Sequence, residues 1–184
     1  MRTLSLALLL LLSTPILLAG EAENSYTLVA VEDGDTLIVK IGTEEKRLQL
    51  SGIDAPEDVV NPKFTKDLDR TKLSSEVLLN LGKLSTDHLK QLLTPGDQLR
   101  IMGDLDNSDR YGRVPVLAYT ASNLSLNEQM VSDGYAVVLS RTPLQEPLKQ
   151  QFILHQQQAQ KQQSGLWGEQ RNAAALWSGQ TVSD

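Results

Sequence analysis

The sequence predicts a β-barrel with helices, an α+β fold in which five strands form an OB-fold barrel flanked by about three helices. Its length of 184 residues suits one domain of ordinary size. Three short runs rich in apolar and β-branched residues come first, separated by brief turns, and two more follow a longer segment with leucines at helical spacing. Short strands with a few helices in so small a chain are typical of a partly open barrel.

The first three predicted strands form a meander. Residues 26–31 and 36–41 are apolar, β-branched runs joined by an Asp-Gly-Asp turn at 33–35. After a turn at 42–45, residues 46–53 alternate polar and apolar side chains over most of their length. This alternation indicates a half-buried strand.

The remaining elements alternate between helix and strand. Within residues 58–84, Asn61-Pro62 signals a loop, and apolar residues at helical spacing from Leu73 onward indicate an early helix. The later predicted elements are a helix capped by Ser85 that ends at Leu93, strands over 98–102 and 113–119, and helices over 124–134 and 146–163. Pro115 places part of the fifth strand at an edge. We expect residues 21–171 to form the domain and 172–184 a flexible tail.

The N-terminus has the pattern of an export signal. Arg2 precedes a leucine-rich apolar run that ends in small residues at Ala19 and Gly20. The run is short for a bilayer span of about 20 residues and contains Pro15, which favours cleavage over a membrane anchor. We therefore expect residues 1–20 to be a signal peptide, and the mature chain to be secreted or periplasmic without a stable membrane anchor.

Composition excludes several classes of protein. The chain has no cysteine, which rules out disulfides, thiolate zinc sites, iron–sulfur clusters and cysteine nucleophiles. Its two histidines, His88 and His155, are too few for a histidine-rich metal site. The formal net charge of −6 argues against a globally basic nucleic-acid binder. A polyanion would have to be met by a local cationic patch or through a bound cation.

Two acidic motifs are the first candidates for chemistry. Asp33-Gly34-Asp35 and Asp54-Ala55-Pro56-Glu57 would each, alone, be an ordinary turn or strand end. In a meander, however, Asp35 and Asp54 lie at the ends of neighbouring strands, and Glu57 follows about one turn later. Converging carboxylates repel one another unless a cation or basic groups lie among them. Oxygen ligands favour a hard ion, Ca²⁺ or Mg²⁺.

A third motif, Asp-Arg-Tyr-Gly-Arg at 109–113, adds arginine and an aromatic ring. Its plain interpretation is a polar turn leading into a strand. Its functional interpretation is a guanidinium aimed at phosphate oxygens, with Tyr111 offering a ring for stacking. Carboxylates, a divalent ion and arginine together suit phosphodiester hydrolysis, because they orient water and stabilise the charge that grows on the phosphate.

Residues 31–36, 52–57 and 109–113 resemble the successive motifs of the staphylococcal nuclease (thermonuclease) family. Residues 127–136 resemble that family's next helix, and 165–167 its usual ending. The resemblance implies an OB-fold barrel with flanking helices and Ca²⁺-dependent cleavage of DNA or RNA.

The resemblance also implies roles for single residues. By this resemblance, the calcium ligands would be Asp35, Asp54 and the carbonyl of Ala55. Glu57 would be the general base or water-orienting group. Arg113 would bind the phosphate and assist the leaving oxygen, and Tyr111 would lie along the substrate.

The chain departs from the family's pattern in two places. Gln49 stands where the family has a second catalytic arginine, so it is an uncertain member of the catalytic set. Arg47, two residues earlier on the same strand face, is a candidate substitute, although its Cα is displaced by roughly 6–7 Å. Residues 58–84 form a longer insertion than usually separates these motifs. We expect a solvated helical insertion rather than a cationic strap, because acidic residues alternate with its lysines.

Three functions therefore compete. The favoured one is an exported Ca²⁺-dependent nuclease that acts on single-stranded or frayed DNA or RNA, with a monomer as the default state. The replacement of arginine by Gln49 suggests a second, a non-catalytic OB-fold module that binds nucleic acid or another polyanion. The third is an envelope interaction domain that retains the fold alone.

Overall fold

A closed barrel is the centre of the computed structural model, which describes residues 25–139, 141 and 144–181. The strands of the chain are β1 (Ser25–Val31), β2 (Thr36–Ile41), β3 (Glu44–Leu50), β4 (Ile53–Asp54), β5 (Gln98–Met102), β6 (Arg113–Thr120) and β7 (Val137–Val138). The barrel has the order β1-β2-β3-β6-β5, and β5 closes it against β1. The predicted five-stranded OB-fold barrel is confirmed. The predicted signal peptide lies outside the described residues.

Strand β6 joins two kinds of pairing. Its residues 113–116 pair in parallel with β3, and its residues 117–120 pair antiparallel with β5. Pro115 thus lies in the half that pairs with β3, before the β5 ladder begins. The short strands β4 and β7 form a separate antiparallel pair beside the barrel.

Alternation along β3 divides the barrel's interior from its outer face. Leu48 and Leu50 are fully buried, whereas Arg47 and Gln49 are half-buried and lie on the opposite face. Burying a leucine side chain stabilises the fold by about 1.5–3 kcal/mol. The register that keeps Leu48 and Leu50 inside therefore also keeps Arg47 and Gln49 on the outer face.

The described part of the chain has five α-helices, more than the three or so that the sequence predicts. They are α1 (Pro62–Thr71), α2 (Ser75–Leu92), α3 (Leu126–Ser132), α4 (Glu146–Gln162) and α5 (Arg171–Ser178), with a 3₁₀ turn at Gly165–Trp167. None of these five helices combines the length and the apolar character that crossing a membrane requires.

The prediction that Ser85 caps a helix is wrong. Helix α2 begins at Ser75, where the Ser74 side chain accepts a hydrogen bond from the Val77 amide. Ser85 lies within α2, fully buried, and its hydroxyl donates to the carbonyl of Tyr135 at 2.7 Å. A tertiary partner for Ser85 thus replaces the capping role, and the two predicted helices are one.

A second apolar core lies outside the barrel and joins α1, α2, α5 and the 3₁₀ turn. Its buried members include Phe64, Leu78, Leu81, Trp167 and Trp177. Residues 172–178, expected to belong to a flexible tail, form most of α5 and bury Trp177 to 2% exposure. The apolar surface of Trp177 explains the difference, because it gains a packed environment only when α5 docks.

Candidate active site

Asp35 ties the start of β2 to the end of β4. One of its carboxylate oxygens accepts a hydrogen bond from the Thr36 hydroxyl, and the other from the Ala55 amide, both at 3.0 Å. Its own amide donates to Oδ1 of Asp33 at 3.0 Å, and its side chain is buried. These bonds fix the carboxylate of Asp35 beside the backbone of residues 54–55.

Glu57 is held by the two helices of the insertion. The side-chain amide of Asn61 donates to Glu57 Oε2 at 2.5 Å, while its oxygen accepts from the Phe64 amide at 2.8 Å and so caps α1. On the other side, Gly82 of α2 packs against the Glu57 backbone. A Cβ at Gly82 would lie 2.1 Å from the Glu57 carbonyl oxygen. Glu57 is therefore contacted from both sides, by Asn61 at its side chain and by Gly82 at its backbone.

The ammonium of Lys63 lies among the carboxylates of several acidic residues. Its Nζ is 3.0 Å from Glu57 Oε1, 3.3 Å from Asp54 Oδ1 and 3.6 Å from Asp67 Oδ2. It also donates to the carbonyl of Ala55 at 3.1 Å. We call Asp35, Asp54, Glu57 and Asp67 the acidic cluster.

The expectation of a solvated insertion is wrong at Lys63, since this side chain is directed into the acidic cluster. The i, i+4 spacing of Lys63 and Asp67 is a visible sequence signal, but it predicts only a pair on one helix face. No sequence signal within the insertion predicts that this helix face contacts Asp54 and Glu57.

The pKa shifts show that the carboxylates of the acidic cluster require a positive charge nearby. Burial raises the pKa of Asp35 well above its ordinary value, and the neighbouring Asp33 and Asp54 raise it further. Burial also raises the pKa of Asp54, although Lys63 opposes this shift. For Lys63, burial alone would lower the pKa, but Asp54, Glu57 and Asp35 outweigh it and raise the pKa. A protonated Lys63 is thus the cation that balances these carboxylates.

The donor set fits a hard cation by its chemistry. The Asp35 and Asp54 carboxylates and the Ala55 carbonyl offer only oxygen, as Ca²⁺ prefers. Even so, the described residues contain no group of three or more His, Cys, Asp or Glu side chains already arranged to hold a metal ion. Two of the three donors, Asp54 and Ala55, instead contact the Lys63 ammonium.

A second group of residues surrounds the start of β6. Arg113 donates from Nε and Nη2 to Asp109 Oδ2 at 3.1 and 2.9 Å. The ring of Tyr111 is 54% exposed and has the guanidinium carbons of Arg113 and Arg110 at 5.3 and 4.8 Å from its centroid. Hydrogen bonds from the Arg113 backbone and side chain outweigh the effect of burial and lower the pKa of Asp109. We call Arg113, Arg110 and Tyr111 the arginine–tyrosine group.

Arg47 lies next to this group, but its guanidinium is already engaged. Its Cα pairs with that of Arg113 in the parallel ladder. Its Nε and Nη2 donate to the two carboxylate oxygens of Glu32, and its Nη1 donates to the Tyr111 carbonyl at 3.1 Å. The arrangement gives Arg47 a bridging role between the β1–β2 turn and the loop before β6.

Gln49 lies between the two groups. In the barrel register it pairs with Thr36, which follows Asp35, and with Pro115, two residues after Arg113. The structure therefore brings Asp35, Asp54, Ala55 and Glu57 together, and separately Arg113, Tyr111 and Arg47, with Gln49 between them. Asn61, Lys63 and Asp67 are members of these contacts that lie outside the motifs. Glu32 and Asp109 lie within the motifs, but the sequence assigned them no role.

Comparison with known proteins adds an independent observation. A family profile described as "Staphylococcal nuclease homologue" matches residues 47–169. The chain is 32% identical over 155 residues to Endonuclease YhcR of Bacillus subtilis (strain 168), which covers 82% of this chain and 12% of that protein. It is 29% identical over 153 residues to Thermonuclease of Staphylococcus hyicus, covering 82% and 79%. It is 29% identical over 161 residues to an uncharacterized endonuclease of Escherichia coli, covering 88% and 86%. The chain thus spans a small part of the first relative and most of the other two.

Proposed function

Because the chain belongs to the family of staphylococcal nuclease homologues, we propose that it is a nuclease that hydrolyses phosphodiester bonds of DNA, RNA or both. Family membership supports nuclease function in general. The observation that carries the proposal for this chain is the convergence of Asp35, Asp54, Ala55 and Glu57 at one end of the barrel. The arginine–tyrosine group lies across Gln49 from them.

The acidic cluster supplies the groups for water attack. Asp35, Asp54 and the Ala55 carbonyl would hold Ca²⁺, which when bound would neutralise the scissile phosphate. Glu57 orients the attacking water or takes its proton. Asn61 occupies one carboxylate oxygen of Glu57, and so keeps the other oxygen, Oε1, directed into the cluster.

The arginine–tyrosine group supplies the substrate contacts. Arg113 directs Nε and Nη2 to Asp109, and within the described residues its Nη1 has no hydrogen-bond partner. This arrangement fixes the guanidinium while leaving a donor for a phosphate oxygen, where it stabilises the charge of the transition state. The exposed ring of Tyr111 can stack on an unpaired base or a sugar, which favours single-stranded or frayed substrates.

We propose a monomer as the active species. The signal-like residues 1–20 support export, so that the mature protein would act in the periplasm or outside the cell.

The proposal is tested with residues 21–184, incubated with denatured DNA and with RNA, in millimolar Ca²⁺ and in EGTA. We expect cleavage in the samples with Ca²⁺ and no cleavage in the samples with EGTA. Glu57→Gln should lower the rate by about 10²–10⁴, the usual contribution of a general base. Glu45→Gln, an exposed residue of β3, is the matched control and should cleave normally. Intact nucleic acid in all conditions would overturn the proposal.

A second function, a non-catalytic module that binds nucleic acid, is favoured by Gln49 in the position of the family's arginine. It predicts salt-dependent binding without cleavage. Gln49→Arg distinguishes the two. If the missing charge alone prevents cleavage, Gln49→Arg should create Ca²⁺-dependent activity, whereas Gln98→Arg, the same change at an exposed position of β5, should not.

A further inference from the structure

We propose that the Lys63 ammonium is the resident cation of the acidic cluster, and that Lys63 and Ca²⁺ exclude each other there. Metal binding then requires Lys63 to leave, so this side chain sets the metal affinity of the site. The inference rests on the proposed function in one respect, because it takes Asp35, Asp54 and Ala55 as the metal's ligands.

The first argument is a count of hydrogen-bond donors. An ammonium has three N–H groups. Three oxygens lie within 3.3 Å of Lys63 Nζ, one each from Glu57, Ala55 and Asp54. They use all three N–H groups, so none is left for a phosphate oxygen. Lys63 therefore acts on the acidic cluster rather than on substrate, which distinguishes it from a cationic strap.

The second argument is that the two cations need the same oxygens. Ca²⁺ lies 2.3–2.6 Å from its oxygen ligands. An ion bound to both the Asp54 carboxylate and the Ala55 carbonyl would be a close neighbour of an ammonium bonded to those same groups. The repulsion between two positive charges at such a separation is large, so one of them must leave.

The third argument is that the contacts of Asp67 with Arg70 and with α5 hold Lys63 in place. Asp67 accepts from Arg70 at 2.8 Å and from the Trp177 indole at 3.3 Å, and Arg70 donates to the Trp177 carbonyl at 2.7 Å. We call Asp67, Arg70 and Trp177 the α1–α5 latch. Lys63 Nζ is also 5.9 Å from the Trp177 ring centroid. The latch orients the face of α1 that carries Lys63 toward the carboxylates.

Release of Lys63 is nevertheless feasible. Its side chain is 37% exposed, so the ammonium can reach water by rotation of a flexible stem. Helix α1 buries a single side chain, Phe64, and follows the exposed residues Val59 and Val60. A segment with few buried apolar contacts can shift at low cost.

The wild-type chain tests the proposal by chemical labelling of lysines. Residues 21–184 are treated with an amine acetylating reagent in EGTA and in saturating Ca²⁺, and labelling is read by peptide mass spectrometry. We expect Ca²⁺ to increase the labelling rate of Lys63 several-fold, because the displaced amine becomes accessible. Lys66, an exposed lysine of the same helix, is the internal control and should not change. Labelling of Lys63 that stays constant or falls in Ca²⁺ would overturn the proposal.

A substitution gives the affinity itself. Lys63→Met keeps the stem and removes the charge, and Lys66→Met makes the same change on the exposed face of α1. By calorimetric titration with CaCl₂, we expect Lys63→Met to bind Ca²⁺ at least roughly tenfold more tightly than wild type, because the competing state no longer reduces the apparent affinity. Lys66→Met should match wild type.

The outcomes separate this inference from the proposed function. If wild type cleaves nucleic acid in Ca²⁺ but Lys63→Met binds Ca²⁺ no more tightly, the exclusion is wrong and the nuclease stands. If neither protein binds Ca²⁺, the exclusion is also wrong, and the cleavage assay in EGTA then decides the function independently.

In EGTA, Lys63→Met should have a lower melting temperature than wild type, because its carboxylates have lost their cation, and Ca²⁺ should restore it.

Discussion

Asp35 is the residue at which the acidic cluster and the barrel meet. Its carboxylate is buried and hydrogen-bonded to Thr36 and Ala55, and burial raises its pKa well above the ordinary value. A buried carboxylate in such a position is costly unless a cation lies nearby. The role of Asp35 can therefore be measured through the effect of Ca²⁺ on stability.

Asp35→Asn should abolish the stabilisation that Ca²⁺ gives to the folded protein. Asparagine preserves both hydrogen bonds, because its oxygen can accept from Ala55 and its amide can donate to the Thr36 hydroxyl. In wild type, a Ca²⁺ concentration of about 100 Kd should add roughly 2.7 kcal/mol to the free energy of unfolding. Thermal unfolding with and without Ca²⁺ measures this gain, and Asp69→Asn on the exposed face of α1 is the control. An unchanged Ca²⁺ shift in Asp35→Asn would show that Asp35 is not a ligand.

Asp109 gives a prediction for acid stability. Hydrogen bonds from Arg113 outweigh burial and lower the pKa of Asp109 in the folded protein. A lowered folded pKa means that the stabilisation is present above about pH 4, the unfolded value, and is lost as the pH falls through the folded pKa. Asp109→Asn should lower the free energy of unfolding at pH 7 by less than about 1 kcal/mol, since solvent screens this pair.

Urea unfolding of wild type and Asp109→Asn across pH 2–7 checks this sign. The difference in free energy should shrink toward acid pH. Asp106→Asn removes the same charge from the same loop, where Asp106 is 99% exposed, and is the matched control. A difference that grows toward acid pH would contradict the assignment.

At the scale of single residues, the sequence predicts which acidic residues lie close together, but not that the Lys63 ammonium lies among them. Asp35, Asp54 and Glu57 converge because strand ends and short connections determine where they lie. The place of Lys63 could not be predicted, because it depends on how α1 docks. That docking is fixed by Trp177, which lies 110 residues from Asp67 along the chain.

The elements show the same contrast between local and distant causes. The predicted ranges of β2 and β5 match the structure. A β-branched, apolar run identifies β2 locally, and an alternation of polar and apolar residues after a Pro-Gly turn identifies β5. Helix α1 was predicted only as part of a helical insertion over residues 58–84, and α5 was not predicted. Their apolar faces are short and are buried only when the two helices pack against each other and α2. Long-range packing decides such segments, whereas periodicity decides the barrel strands.

Trp177→Ala tests the α1–α5 latch as a unit. The variant removes a buried indole and its hydrogen bond to Asp67, so it should lower the free energy of unfolding by about 3–5 kcal/mol. Hydrogen exchange in residues 62–71 should also rise more than exchange in the barrel strands, since α1 loses a partner. Leu176→Ala, at a position 55% exposed on the same helix, should change stability by less than about 0.5 kcal/mol. Equal effects of the two variants would mean that α5 does not hold α1.

As the proposed nuclease, the whole molecule would bind a polyanion while carrying a net charge of −6. Its cationic contacts are local, with Arg113 and Arg110 beside Tyr111. Arg113 is paired with Asp109 through Nε and Nη2, and Lys63 and Arg47 are also engaged by carboxylates. A broad basic surface would release many counterions from nucleic acid and give steep salt dependence. This site offers few such contacts.

Single-stranded DNA should therefore bind to the Glu57→Gln protein with a shallow salt dependence. Each phosphate contact to a single strand contributes about −0.7 to the slope of log K against log salt concentration, so two arginines predict a slope of roughly −1 to −2. Fluorescence anisotropy of labelled oligonucleotide at several salt concentrations measures the slope. Arg113→Met should make it shallower by about one contact, whereas Arg100→Met, in the middle of β5 beside Tyr119, should leave it unchanged. A slope several-fold steeper, or one unaffected by Arg113→Met, would place the nucleic acid on a different surface of the molecule.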